Sequence, residues 1–270
     1  GIYKPVNLGA KDGLSLINGT QYSTALLLAA YLEAEKIVHM AELALSLSIE
    51  ADLATDKPFD ARIHVVRRQT GQQRVARNVR KLLKYSKLVA SHKDCGKVQD
   101  PYCYRCAPQV IGSVRDTLEY VKKILENEVE AVTDNPLVFP EEGEIISAGN
   151  FHAEPIAMAA DYLTIALTEL GNISERRVAN LIDTTMSGLP PFLIESSGVN
   201  SGFMIAQVTS AALTAENRTL ANPASVETIS TSANQEDHVS MAPNAGLKLR
   251  QVMKNVKQTI WIEMLAATQG

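Results

Sequence analysis

Residues 20–53 constrain the fold more than any other stretch. Leu26, Leu27, Leu28, Ile37, Val38, Leu43 and Leu47 put apolar side chains on nearly every face of one long helix, opened by the polar Asn18-Gly19-Thr20. A helix that is apolar all round is a buried helix, so other long helices must cover it. The composition agrees: of 270 residues, 46% are hydrophobic but only 5% aromatic, and the apolar content is mainly Ala, Leu, Ile and Val. That balance favours helices over a β-sandwich and suffices for one large core or two small ones. No run is long and charge-free enough to span a bilayer, because the richest, residues 25–32, is followed at once by Glu33 and Glu35. The opening Gly1-Ile2-Tyr3-Lys4-Pro5 has neither the basic start nor the apolar stretch of a signal peptide, which points to a cytoplasmic address.

Further helices follow from periodicity. Val110, Val114, Leu118, Val121 and Leu125 mark a stripe over 109–132, closed by Thr133-Asp134-Asn135-Pro136. Residues 139–144 read as a turn, 154–182 as another long helix stopped by Gly188-Leu189-Pro190-Pro191, and 202–220 and 246–267 as two more. Residues 61–93 contain no Asp or Glu and carry ten Lys and Arg residues, interleaved with Val75, Val79, Leu82, Leu83 and Leu88 at helical spacing. Alone this would suggest nucleic acid. The net charge of −4 and the acidic block over 119–144 make a solvated or paired helix face the better account, with no nucleic acid and no membrane as partner. With no repeat, low-complexity tract or Gly/Ser linker, residues 1–270 are expected to form a single all-α unit of long, nearly antiparallel helices.

Chemistry concentrates in Gln99-Asp100-Pro101-Tyr102-Cys103-Tyr104-Arg105, an amide, a phenol and a guanidinium in a Pro-bounded connection between helices. An Arg fork matches a carboxylate, and Tyr and Gln can orient a neighbouring oxygen. Two readings stand open: a seat for a small anion, or Arg105 paired with a structural acid and Tyr102 packed. Three cysteines argue against a disulfide scaffold. Cys95, Cys103 and Cys106 with His92 allow a structural zinc site, but Tyr104 and Arg105 between two of the ligands argue against it, so no metal is expected. Three other polar islands lie at helix boundaries: Asn18-Gly19-Thr20, Gly149-Asn150-Phe151-His152 and Asn234-Gln235-Glu236-Asp237-His238.

In order along the chain, residues 13–21 (Gly-Leu-Ser-Leu-Ile-Asn-Gly-Thr-Gln), 98–106, 133–136, Gly149-Asn150-Phe151-His152-Ala153-Glu154-Pro155 and Ser232-Ala233-Asn234-Gln235-Glu236-Asp237-His238 resemble separate motifs of the aromatic amino acid ammonia-lyase family, its histidine-acting members in particular. The resemblance implies non-oxidative elimination of ammonia by a methylidene-imidazolone ring formed from an internal Ala-Ser-Gly. This sequence has no Ala-Ser-Gly, and the resemblance therefore implies the central part of a longer enzyme, inactive alone. It also implies roles: Arg105 clamps the substrate carboxylate; Asn18, Gln99 and Tyr102 surround the electrophile or the substrate; Phe151 walls the ring; Glu236 faces the side chain or amino end. A Glu there suits L-histidine better than phenylalanine, so the implied products are trans-urocanate and ammonia. The family's β-proton base, a Tyr on an N-terminal loop, has no match here. Its sites are assembled from several chains of a homotetramer. The alternatives are a phenylalanine or tyrosine lyase or aminomutase of the same family, and a non-enzymatic helical scaffold or zinc-stabilised module.

Overall fold

The computed structural model describes residues 3–92, 96 and 98–270. Its α-helices are α1 (Asp12–Ile17), α2 (Gln21–Ala51), α3 (Ala61–Arg67), α4 (Thr70–Leu82), α5 (Lys87–Ser91), α6 (Tyr102–Arg105), α7 (Ala107–Glu128), α8 (Glu154–Ile182), α9 (Thr184–Ser187), α10 (Met204–Leu220) and α11 (Ala242–Gln269). One hairpin interrupts them: β1 (Leu137–Phe139) pairs antiparallel with β2 (Glu144–Ile146), Val138 opposite Ile145. The expected turn over 139–144 is its loop, and Gly143 supplies the positive φ of 68°.

The all-α expectation holds, and the four longest helices fall where the periodicity puts them. Helix α8 is the hub, packing against α2, α7, α10 and α11. Its Leu163, Leu167 and Leu170 are buried in a core shared with Leu27, Ile37 and Leu45 of α2, Ile111 of α7 and Leu249 and Val256 of α11.

Directions differ from a plain antiparallel bundle. The end of α2 meets the end of α8 through Asp52 and Asn180, and Glu263 near the end of α11 meets Ser48 and Ser174. The three longest helices therefore run parallel. Helices α7 and α10 run against them: Arg115 reaches Glu42, Tyr120 meets Tyr162 edge to face, and Gln207 meets Glu175 while Ser225, beyond α10, meets Asp161.

The basic stretch over 61–93 folds as α3, α4 and α5, because Arg68 adopts a left-handed φ of 69° and residues 83–86 turn. Of its cations, Arg74 approaches Glu119 of the acidic block at 3.5 Å, while Arg62 pairs with Asp60 and Arg80 donates to the Phe59 carbonyl. The segment over 99–109 is more helical than expected. Pro101 caps α6, and Pro108 sits in the first turn of α7, where its missing N–H costs no intrahelical bond.

Helices α4 and α7 touch backbone to backbone. A Cβ on Gly112 would lie 2.4 Å from the Gln72 nitrogen, and one on Gly71 would lie 2.1 Å from the Gly112 carbonyl oxygen. No side-chain rotation relieves such a contact. Gly112→Ala is expected to lower unfolding stability by about 1–3 kcal/mol, read from the midpoint of a urea denaturation curve.

Candidate functional site

The one-turn helix α6 presents Tyr102 and Arg105 on the same side, with the guanidinium carbon of Arg105 4.4 Å from the Tyr102 ring centroid. Tyr102 is 69% exposed. Arg105 is half-buried, its Nε has no hydrogen-bond partner, and among the described residues no carboxylate pairs with it. The nearby acid, Asp100, is buried and instead accepts from the Thr55 amide at 2.8 Å. Of the two readings left open by the sequence, the one that pairs Arg105 with a structural acid finds no such acid among the described residues. Gln99 is exposed, and neither it nor the Tyr102 hydroxyl hydrogen-bonds to another described residue.

The floor beneath these groups is fixed. Cys103 and Tyr104 point inward, and burial pushes the Cys103 thiol up to about 11 and the Tyr104 phenol well above its usual range. Cys95, the remaining cysteine of the considered zinc set, lies outside the described residues. The Cys103 carbonyl accepts from Arg177 Nη1 at 3.2 Å, and the Tyr104 hydroxyl accepts from Asn180 at 3.4 Å. Arg177 in turn forms a two-pronged pair with Glu263, Nε to Oε1 at 2.5 Å and Nη2 to Oε2 at 2.8 Å. Both residues are 0% exposed, and the hydroxyls of Ser48 and Ser174 donate to the same carboxylate. Burial opposes the charge on Arg177, but the attraction of Glu263 outweighs it and keeps the guanidinium ionised.

The other islands gather at the opposite end of the bundle. Asp134 is their organiser: it accepts from Lys11, from the Ser15 hydroxyl at 2.9 Å, from Asn18 Nδ2 at 2.9 Å and from the Asn135 amide at 2.7 Å. These donors hold its carboxyl well below the usual carboxylate range, Lys11 most strongly. Asn18 is left with its carbonyl oxygen and one N–H for other partners. Asn135 accepts from the Ala148 amide at 2.6 Å, which ties this hub to the loop that leads into α8. Phe151 lies partly exposed on that loop.

The His152 ring lies 5.6 Å from the His238 ring, and its Nε2 is 3.2 Å from the His238 carbonyl. The loop carrying Phe151 is thereby joined to the loop carrying Glu236. Glu236 is exposed, accepts from the Thr231 hydroxyl at 2.5 Å, and is kept ionised by the hydroxyls of Thr231 and Ser232. His152, Glu154 and His238 bring potential ligand atoms within 4.8 Å of one another, and they are the described residues most suited to a cation.

The two ends are far apart. Tyr102 and Arg105 sit beside Arg177 and Asn180, whereas Phe151 precedes the first residue of α8. With 1.5 Å of rise per residue, roughly 35–40 Å of helix separates them. One chain thus brings Asn18, Phe151 and Glu236 to one end, and Gln99, Tyr102 and Arg105 to the other. Sequence reasoning missed Asp134 as the hub and missed Arg177 and Glu263 altogether. Glu263 had a signal, since it is the lone charge on a helical face with Val256, Ile260 and Ala267.

Residues 2–270 match the model of the aromatic amino acid lyase family. The chain is 56% identical over 268 residues to a histidine ammonia-lyase of Photorhabdus laumondii, covering 99% of this chain and 52% of that protein. The crystal structure of histidine ammonia-lyase from Trypanosoma cruzi superposes with a TM-score of 0.90 at 47% identity, over 98% of this chain and 50% of that one. Tyrosine aminomutase from Streptomyces globisporus gives a TM-score of 0.91 at 37% identity, over 98% and 54%. The chain spans about half the length of the relatives it matches.

The Asp134 hub makes a pH prediction. A carboxyl depressed by folding contributes stability that is complete above the unfolded value of about 4 and is lost as pH falls through the lower folded value. In carboxyl-carbon NMR, Asp134 is therefore expected to titrate below an unperturbed aspartate, and the Asn18 side-chain amide signal to move with it. A midpoint near 4 would contradict the hub.

Proposed function

The chain belongs to the aromatic amino acid lyase family, and on that premise we propose that it is the central part of a histidine ammonia-lyase, a carbon–nitrogen lyase that converts L-histidine to trans-urocanate and ammonia. The observation that carries the reading is Arg105: a half-buried guanidinium, braced on Tyr102, with no acidic partner among the described residues. Its charge remains available to the α-carboxylate of an amino acid, which it can grip through two parallel N–H bonds.

In this family the electrophile is a methylidene-imidazolone ring made from Ala-Ser-Gly, and this sequence holds no such triplet. When present, such a ring would supply an electron-poor centre for the loss of the amine. The donors of this chain fit such a group. The amide of Gln99, the phenol of Tyr102 and the free N–H of Asn18 are uncommitted to other described residues, and each can hydrogen-bond a carbonyl oxygen that gains negative charge. Phe151 offers an apolar wall. Glu236, ionised on its hydroxyl pair, suits an imidazole N–H. The base that takes the β-proton is assigned to no residue of this chain.

The separation of the two ends supports a site shared between copies, in a homotetramer. Within one chain Arg105 cannot approach Asn18 or Phe151, so a complete site needs the clamp of one copy at the far end of another. Exposed apolar residues along the parallel helices, Leu28, Leu32, Met158, Ile165, Trp261 and Leu265, offer the surface on which copies can associate.

A lyase or aminomutase acting on tyrosine or phenylalanine is the second reading, favoured by the aminomutase superposition. Glu236 separates the two. In the full-length enzyme Glu236→Gln is expected to cut kcat/KM for histidine by about tenfold or more, followed by urocanate absorbance, whereas an enzyme for tyrosine would be little affected. Arg105→Ala is expected to raise KM by about tenfold or more, as the loss of a charged hydrogen bond requires. Co-expression of Arg105→Ala with Asn18→Ala chains is expected to restore part of the activity that each lacks alone, because mixed assemblies contain sites that draw both residues from intact copies. No recovery in verified mixed assemblies would rule out shared sites.

A further inference from the structure

The clamp residues on α6 are held from below by a part of the molecule that touches no reacting atom. We propose that Arg177 is a positioning residue for substrate recognition, setting where Tyr102 and Arg105 stand by gripping the Cys103 carbonyl between them. The inference rests on the reading of Arg105 as the carboxylate clamp.

Helix α6 is too short to hold its own place. Its one turn spans Tyr102–Arg105, and its internal bonds, Arg105 N to Pro101 O at 3.2 Å and Cys106 N to Tyr102 O at 2.9 Å, fix its shape but not its position on the bundle. The Cys103 carbonyl needs a donor from elsewhere, and Arg177 Nη1, near the C-terminal end of the hub helix, supplies it at 3.2 Å. The other two guanidinium nitrogens of Arg177, Nε and Nη2, bond Glu263 at 2.5 and 2.8 Å, and Glu263 is itself fixed by Ser48 and Ser174 at 2.8 and 2.6 Å. The guanidinium therefore has one orientation. It couples α2, α8 and α11 to the residue beside Tyr102. Asn180, one turn on, touches the Tyr104 hydroxyl and Asp52 and braces the same helix. A small shift of α6 would move the Arg105 fork by a comparable amount, and a two-pronged contact with a carboxylate tolerates little misplacement. Positioning of this kind acts mainly on binding, so the expected signature is a raised KM with kcat largely kept.

Arg177→Met alone would strand the buried charge of Glu263, so the informative variants are Arg177→Lys and the double change Arg177→Met with Glu263→Met. Lysine keeps the ion pair but lacks the fork that also reaches Cys103. The double change replaces the buried pair by apolar groups of similar volume, a swap that folds tolerate. In the full-length enzyme both are expected to raise KM for L-histidine by about tenfold or more, with kcat within a few-fold of the parent. Hydrogen exchange at the Arg105 and Cys106 amides should accelerate by a similar factor, a readout that needs no activity. Parental KM and exchange rates in either folded variant would overturn the proposal. Were the parent enzyme to make no urocanate while exchange at α6 still accelerates, the lyase reading would fail and the tether would stand.

Discussion

The Arg177–Glu263 pair is the contact on which the rest of the architecture depends. Both partners are fully buried at one end of the bundle, where α2, α8 and α11 finish together. Two charges in such a place are expensive to desolvate, and they persist because each guanidinium nitrogen and each carboxylate oxygen has a partner: Nε and Nη2 on the carboxylate, the carboxylate on two serines, Nη1 on the Cys103 carbonyl. Removing one partner leaves an uncompensated charge in the core, a loss of about 3–5 kcal/mol. The apolar contacts of Leu163, Leu167 and Leu170 are stronger in sum but indifferent to register. The ion pair admits only one alignment of the three helices.

At the other end the same task falls to Asp134, a partly buried carboxylate that gathers Lys11, Ser15, Asn18 and Asn135. The two organisers differ in kind. Arg177 and Glu263 work in a dry core and tie helices to helices. Asp134 works at the surface and ties a loop and a short helix to the end of α7, with each bond individually weak in water and the set cooperative. Each organiser stands next to a candidate site residue without being one, Arg177 beneath Tyr102 and Arg105, Asp134 beneath Asn18.

How much of this was legible in the sequence follows from the range of each interaction. Helices α2, α7, α8 and α11 were readable because burial on a helix repeats every three to four residues, a purely local signal. The polar islands were readable because Pro, Gly and Asn mark helix ends by local sterics. The breaks between α3, α4 and α5 were not, since Arg68 takes its left-handed turn without a glycine or proline to announce it. The hairpin over 137–146 was read only as its turn. Parallel running of α2, α8 and α11 depends on contacts 89, 128 and 215 residues apart in sequence, Ser48 to Glu263 the longest of the three, and no local pattern encodes those. The same holds for the site. Residue types pointed to Arg105, Tyr102 and Asn18, but that they stand at opposite ends of the bundle is a property of helix direction.

That shared direction has an electrical consequence. The peptide dipoles of α2, α8 and α11 add, while those of α7 and α10 oppose them, so the bundle keeps a net dipole of about one long helix, with roughly half a positive charge at the Asn18 end and half a negative charge at the α6 end. The end that carries Glu236 is thus biased toward holding a carboxylate ionised, and the end that carries Arg105 toward holding a cation. Two copies laid side by side in opposite senses would cancel these fields, and that same arrangement brings an Arg105 of one copy alongside the Asn18 end of the next. That antiparallel pairing is the one the proposed shared site would call for.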